Sequence, residues 1–247
     1  MTTDTTPLVT RFVELETADG PMSCYEAVPA AGASGRGAIV IQEAFGVNDH
    51  IQDVTRRLAA EGYHAVAPSV FHRTAGATSF SYDRFDPVKE HMVAMTDDGI
   101  LQDVDAVRRH LGEAGLGDDR TGIIGFCMGG RVSFLVAARR RLAAAVGFYG
   151  GGIVKTRFEP TPALIGEIPT MATPWLGLFG DLDTGIPVED VEELRSLLER
   201  DATVDWDIVR YPDAGHGFNC DQRPLYHEPS ARDAWRRALQ WFDAHLP

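Results

Sequence analysis

Thr121-Gly122-Ile123-Ile124-Gly125-Phe126-Cys127-Met128-Gly129-Gly130 decides how this chain folds. Residues 121–125 form a short apolar run suited to a buried strand, and helical periodicity runs from about Met128 to Arg140. Between them, Gly125-Phe126-Cys127-Met128-Gly129-Gly130 puts a cysteine where the G-x-S-x-G strand-to-helix turn presents a serine nucleophile. The glycines have a steric task, because side chains flanking so tight a turn collide with the adjoining strand and helix. A helix N-terminus also lowers the pKa of a thiol placed there. Taken alone, the segment has a plainer reading, since free cysteines are often small buried hydrophobes and glycines in such turns serve close packing. No G-x-G-x-x-G accompanies it, which argues against a dinucleotide site.

Outward from this turn, short β-branched runs alternate with helical patterns, the mark of βα units around a parallel sheet. Upstream, strands are expected at residues 37–42 and 63–67, with a helix at 49–61 closed by Gly62. Downstream, strands are expected at 143–148, 175–179 and 204–211, and helices at 188–200 and 230–245. Residues 87–116 read as two helices broken near Asp97-Asp98-Gly99. Residues 69–86, rich in Ser, Thr, Gly and Phe without clear period, read as a long loop over the strand ends. At the start, alternating stretches at 10–16 and 22–28 flank Ala18-Asp19-Gly20-Pro21 and predict an antiparallel hairpin. With no internal repeat and no domain-scale linker, residues 1–247 are expected to form one α/β domain.

A nucleophile on such a turn needs an acid and then a histidine downstream, each just after a later strand. Gly180-Asp181-Leu182-Asp183 follows one strand and Pro212-Asp213-Ala214-Gly215-His216-Gly217-Phe218 follows another. Asp181 and Asp183 both qualify as the acid, and either also suits a loop residue capping the helix that starts near Pro187. His216 lies between two glycines, which let a loop bring the imidazole close to backbone. His50, His64, His72, His91, His110, His227 and His245 lack that setting and are read as surface or helix residues. Strand 37–42 meets Glu43-Ala44-Phe45-Gly46, where a carboxylate points toward the same strand ends. Oxyanion-hole amides are expected from Ala44 and Met128.

Composition bounds the function. The formal net charge of −13 disfavours nucleic acid and anionic membrane as partners, which call for a basic face. An anionic substrate is repelled overall and needs a local arginine or lysine. Cys24, Cys127 and Cys220 form neither a disulfide framework nor a cysteine zinc site, and no metal or cofactor is expected. Residues 1–7 show no basic or apolar leader pattern and no apolar run is long enough to span a bilayer, so a cytoplasmic location is expected.

Together, Gln42-Glu43-Ala44-Phe45-Gly46, the cysteine turn, Gly180-x-x-Asp183-x-x-Ile186-Pro187 and Ala214-Gly215-His216-Gly217-Phe218 resemble the dienelactone hydrolase family, from about Ala38 to the last helix. The cysteine turn joined to Q-E-x-F-G is far more specific than G-x-x-x-G-G alone. The resemblance implies an α/β-hydrolase fold, with a mostly parallel central sheet, helices on both faces and the N-terminal antiparallel hairpin. It implies Cys127 as nucleophile, His216 as base, Asp183 rather than Asp181 as the residue orienting it, and Glu43 as a carboxylate that helps ionise the thiol. The implied substrate class is a cyclic enol-lactone such as dienelactone; a small-molecule ester or lactone substrate and a monomer or homodimer are expected. One departure stands out: the family arginine four residues after the histidine, which helps hold a substrate carboxylate, is Cys220 here. Arg73, Arg84, Lys89 and Arg223 are the candidate replacements, with Phe45, Arg73 and Arg84 expected to contact substrate. Two other readings compete, a ligand-binding module without turnover and a thioesterase or other acyl hydrolase on the same fold.

Overall fold

The computed structural model describes residues 7–157, 159 and 161–247, and its strands all join one sheet. Residues 1–6, on which much of the leader reading falls, lie outside the described residues. β1 (Leu8–Thr17) and β2 (Gly20–Pro29) form the expected antiparallel hairpin, longer than the alternation alone suggests, with Thr17 opposite Gly20 across a two-residue turn. β3 (Gly37–Ile41), β4 (His64–Pro68), β5 (Thr121–Phe126), β6 (Ala144–Phe148), β7 (Trp175–Gly180) and β8 (Trp206–Tyr211) follow. Their spatial order is β1-β2-β4-β3-β5-β6-β7-β8. β2 runs antiparallel to β4, and every pair from β4 through β8 is parallel.

Every residue of β3 to β7 is buried. Successive side chains of a strand point to opposite faces, so both faces of the sheet are covered there. The covering helices are α1 (Asp49–Ala60), α2 (His72–Ala75), α3 (Asp86–Ala94), α4 (Asp97–Glu113), α5 (Met128–Arg139), α6 (Val188–Asp201) and α7 (Glu228–His245). α1 starts where the Asn48 side chain accepts the Ile51 amide, and it buries Ile51, Val54 and Leu58. The break expected between two helices falls at Met95-Thr96, where the Thr96 hydroxyl accepts the Gly99 amide and restarts the chain as α4. Among the described residues, no helix is long and apolar enough to cross a membrane.

Two expectations need correction. The 69–86 segment is not structureless, because α2 sits inside it. Phe71 packs with Ala44, Phe45, Val88, Met92 and Met128 in a small second core, with Phe80 and Tyr82 against it, so the segment becomes a wall of the site. Nor are all remaining histidines surface or helix residues. His64 opens β4 and is buried, and His50, though helical, is also buried.

The parallel strands place their C-terminal ends along one edge. Ala44, Cys127, Asp183 and His216 all follow such ends, the usual place for a ligand crevice in an open α/β sheet.

Candidate active site

Between β5 and α5 the chain must reverse within one residue, and Cys127 takes the strain. Its φ of 56° and ψ of −114° lie outside the regions open to ordinary side chains. A Cβ on Gly125 would stand 1.9 Å from the Gly129 carbonyl oxygen, and one on Gly129 would stand 2.5 Å from that of Ile41. Glycine at these positions therefore permits the approach of strand and helix that holds the cysteine up at the end of the sheet.

After β7, Asp183 folds back so that its Oδ1 accepts the Gly185 amide at 2.8 Å and its Oδ2 lies 2.6 Å from His216 Nδ1. His216 Nε2 lies 3.1 Å from Cys127 Sγ. Three residues from three loops thus form one hydrogen-bonded chain, with Asp183 buried and His216 partly open to solvent. Burial alone disfavours a charged imidazole, but the adjacent Cys127 sulfur and the hydrogen bond that Nδ1 donates to Asp183 outweigh it and push His216 up to about 10. Asp181, the other candidate acid, faces β8 instead and accepts from Nε and Nη2 of Arg210 at 2.8 and 2.7 Å.

Ala44, Met128, Cys127 and His216 line one cavity of about 160 Å³. Among the described residues, neither the Ala44 nor the Met128 amide donates to a turn or loop carbonyl. Phe45, Phe85, Met92, Met95 and Ile100 make the far wall apolar. A larger cavity of about 290 Å³ lies beyond Arg157, but neither Cys127 nor His216 reaches it.

Glu43 is fully buried, and among the described residues neither of its carboxylate oxygens has a hydrogen-bond partner. Its nearest cation is Arg223, whose Nη1 stands 3.8 Å from Oε1. No hydrogen bond joins Glu43 to Cys127.

The four candidate cations separate cleanly. Arg73 is held by Asp103 at 2.9 Å through two nitrogens and by Asp19 at 2.6 Å, and it does not line the cavity, which corrects its expected role as a substrate contact. Arg84 and Lys89 are exposed and also stand off the cavity. Arg223 does line it, with its guanidinium 5.7 and 5.3 Å from the Phe45 and Tyr82 ring centres. Cys220 turns inward, donating to the Tyr82 hydroxyl at 3.3 Å, and burial pushes its thiol up to about 11.

Three features of the site have little or no sequence signal. Arg157 joins the cavity rim from the segment after β6. Tyr149, at a φ of 40°, packs its ring 5.3 Å from that of His216. Arg131 pairs with Asp97 at 2.6 and 3.2 Å, both buried, and donates to the Gly152 and Pro162 carbonyls, which pins the segment carrying Arg157. The one hint of the last is a charged residue inside an otherwise apolar stretch of α5.

The dienelactone hydrolase family model matches residues 22–246. The "Putative carboxymethylenebutenolidase" of Yersinia pestis is 43% identical over 209 residues, 84% of this chain and 77% of that one. The protein of the same name from Methylorubrum extorquens is 35% identical over 242 residues, 97% of this chain and 82% of its own. Among solved structures, the "Putative Dienelactone Hydrolase" of Klebsiella pneumoniae superposes with a TM-score of 0.88 at 36% identity, covering 96% of this chain and 99% of that chain.

Proposed function

This chain belongs to the dienelactone hydrolase family and is a hydrolase of esters or lactones, and from that premise we propose that Cys127 is its nucleophile. In this reading His216 is the acid and base, Asp183 orients it, and the substrate is an enol-lactone of the dienelactone type. The observation that carries the reading is the unbroken contact from Asp183 Oδ2 through both ring nitrogens of His216 to Cys127 Sγ.

The Cys127 sulfur adds to the ring carbonyl carbon, and charge gathers on the carbonyl oxygen between the Ala44 and Met128 amides. Losing one such donor typically costs on the order of a hundredfold or more in rate. The ring C–O bond then breaks, the enolate leaves, and His216 Nε2 supplies its proton. Water attacks the remaining thioester, giving a proton to His216, and the free acid departs as the thiolate re-forms. Asp183 holds the ring so that Nε2 faces sulfur throughout and stabilises the imidazolium. Glu43 helps ionise the thiol as a base: when an anionic substrate draws Arg223 away from it, its carboxylate takes the Cys127 proton and returns it to the re-formed thiolate at the end of the cycle. Arg223, joined by Arg157 at the rim, holds the substrate carboxylate, the task left open by Cys220.

The test is hydrolysis of a dienelactone and of a nitrophenyl ester by the native chain and by Cys127→Ala. Loss of both activities in the variant is expected. Undiminished turnover overturns the assignment of the nucleophile.

A further inference from the structure

Far from the nucleophile, Glu26 on β2, His64 at the first residue of β4 and His110 near the end of α4 converge. Glu26 Oε1 lies 2.7 Å from His64 Nε2 and 2.6 Å from His110 Nε2, and the three atoms all lie within 4.8 Å of one another. The two imidazole planes stand nearly perpendicular, 85° apart. Glu26 and His64 are buried, whereas the His110 side chain is 21% exposed, which leaves one open approach. Burial works against the Glu26 charge, yet hydrogen bonds from His110, His64 and Arg11 hold its pKa far below the ordinary carboxylate range. None of the three lines the catalytic cavity.

We propose that Glu26, His64 and His110 bind a first-row divalent transition-metal ion, Zn²⁺ being the best match to this donor set. Two imidazole nitrogens and one carboxylate oxygen are donors this class of ion favours, and solvent through the open side supplies a fourth. Tetrahedral coordination at about 2.0–2.1 Å sets donors about 3.3 Å apart, so each imidazole must retreat from Oε1 by roughly 0.6 Å. A small side-chain rotation covers that. Each neutral ring moves its Nε2 hydrogen to Nδ1, freeing the Nε2 lone pair, and an imidazole that starts protonated releases one proton to solvent. Arg11, cross-strand from Glu26 and 62% exposed, occupies only Oε2 at 2.5 Å. Its charge opposes the ion without blocking it. Bound there, the ion ties β2, β4 and α4 together and thus fastens the N-terminal hairpin to the parallel sheet.

The test uses the full chain carrying Cys127→Ala, which removes the sulfur of the catalytic cavity as a competing ligand, after treatment with a chelator. Co²⁺ absorption and Zn²⁺ calorimetry are expected to show one ion per chain and a melting temperature raised by a few degrees. His110→Ala is expected to weaken binding by at least about a hundredfold and abolish the thermal shift. Arg11→Ala is expected to tighten binding on the order of tenfold at low ionic strength, because it deletes one nearby positive charge. In the chain with Cys127 intact, His110→Ala is expected to leave ester hydrolysis unchanged. Absence of stoichiometric binding, or binding that survives His110→Ala, overturns the proposal. Should His110→Ala fail to fold, Arg11→Ala decides, and unchanged or weakened affinity in it counts against the site.

Discussion

Arg223 Nη1 stands 3.8 Å from Glu43 Oε1, and this loose contact is the nearest charge compensation given to a fully buried carboxylate at the edge of the site. The arginine is seven residues beyond His216, whereas the residue four beyond it, Cys220, faces the protein interior. A cation that faces both a buried acid and the cavity is poised to exchange one carboxylate partner for another. Four consequences of the site geometry are open to measurement.

Arg223→Met is expected to raise KM for an anionic lactone roughly 10- to 100-fold, the usual worth of a charge-assisted hydrogen bond. A neutral nitrophenyl ester, which makes no such contact, is expected to change by no more than about twofold. Equal effects on both substrates, measured by steady-state kinetics, contradict a role in substrate charge recognition.

Glu43→Gln should move stability and activity in opposite directions. Replacing a buried carboxylate that lacks hydrogen bonds with a neutral amide of the same shape is expected to stabilise the fold by about 1 kcal/mol or more. The kcat is expected to fall about a hundredfold if the carboxylate assists the thiol. Denaturant titration and ester turnover read the two effects, and a joint loss of both points to a purely structural role.

Asp183→Asn tests the proton held on His216. With its folded pKa raised from 6.5 to about 10, His216 stabilises the fold fully below pH 6.5. That contribution fades as the pH rises through about 10. Removing Asp183 takes away one cause of the rise, so the alkaline limb of the kcat/KM profile moves to lower pH and kcat falls roughly 10⁴-fold. The melting-temperature deficit of the variant should be larger at pH 6 than at pH 10.5. An alkaline limb that stays in place contradicts this account.

Gly125→Ala forces a methyl group to within 1.9 Å of the Gly129 carbonyl unless backbone moves. The expected cost is about 3 kcal/mol or more, read by chemical denaturation, with Cys127 displaced and ester turnover lost. Full activity in a normally stable variant rules out the steric role given to this glycine.

How far the sequence carried depended on the range of the forces involved. Apolar periodicity along 121–125, 143–148 and 175–179, and the glycines around Cys127, express local backbone sterics and burial, and those elements stand within a residue or two of expectation. The 69–86 segment departs from a plain loop because Phe71 and Phe80 pack against residues far along the chain, which no local period encodes. Asp183 and Asp181 are equivalent to any local pattern, since the two differ in which side of one turn they face: toward His216, or toward Arg210 on β8.

By itself, the sequence determined the α/β class, the order of Cys127, Asp183 and His216 along the chain, each after a strand, and the residue types available for chemistry. The tertiary structure decided which charges meet: that Arg73 is consumed by Asp103, that Arg223 reaches the cavity beside Glu43, and that Glu26 gathers His64 and His110. The physical reason is reach, since secondary structure follows from neighbours in the chain, whereas a salt bridge or a ligand cluster depends on angstrom-scale distances set by the packing of the whole sheet.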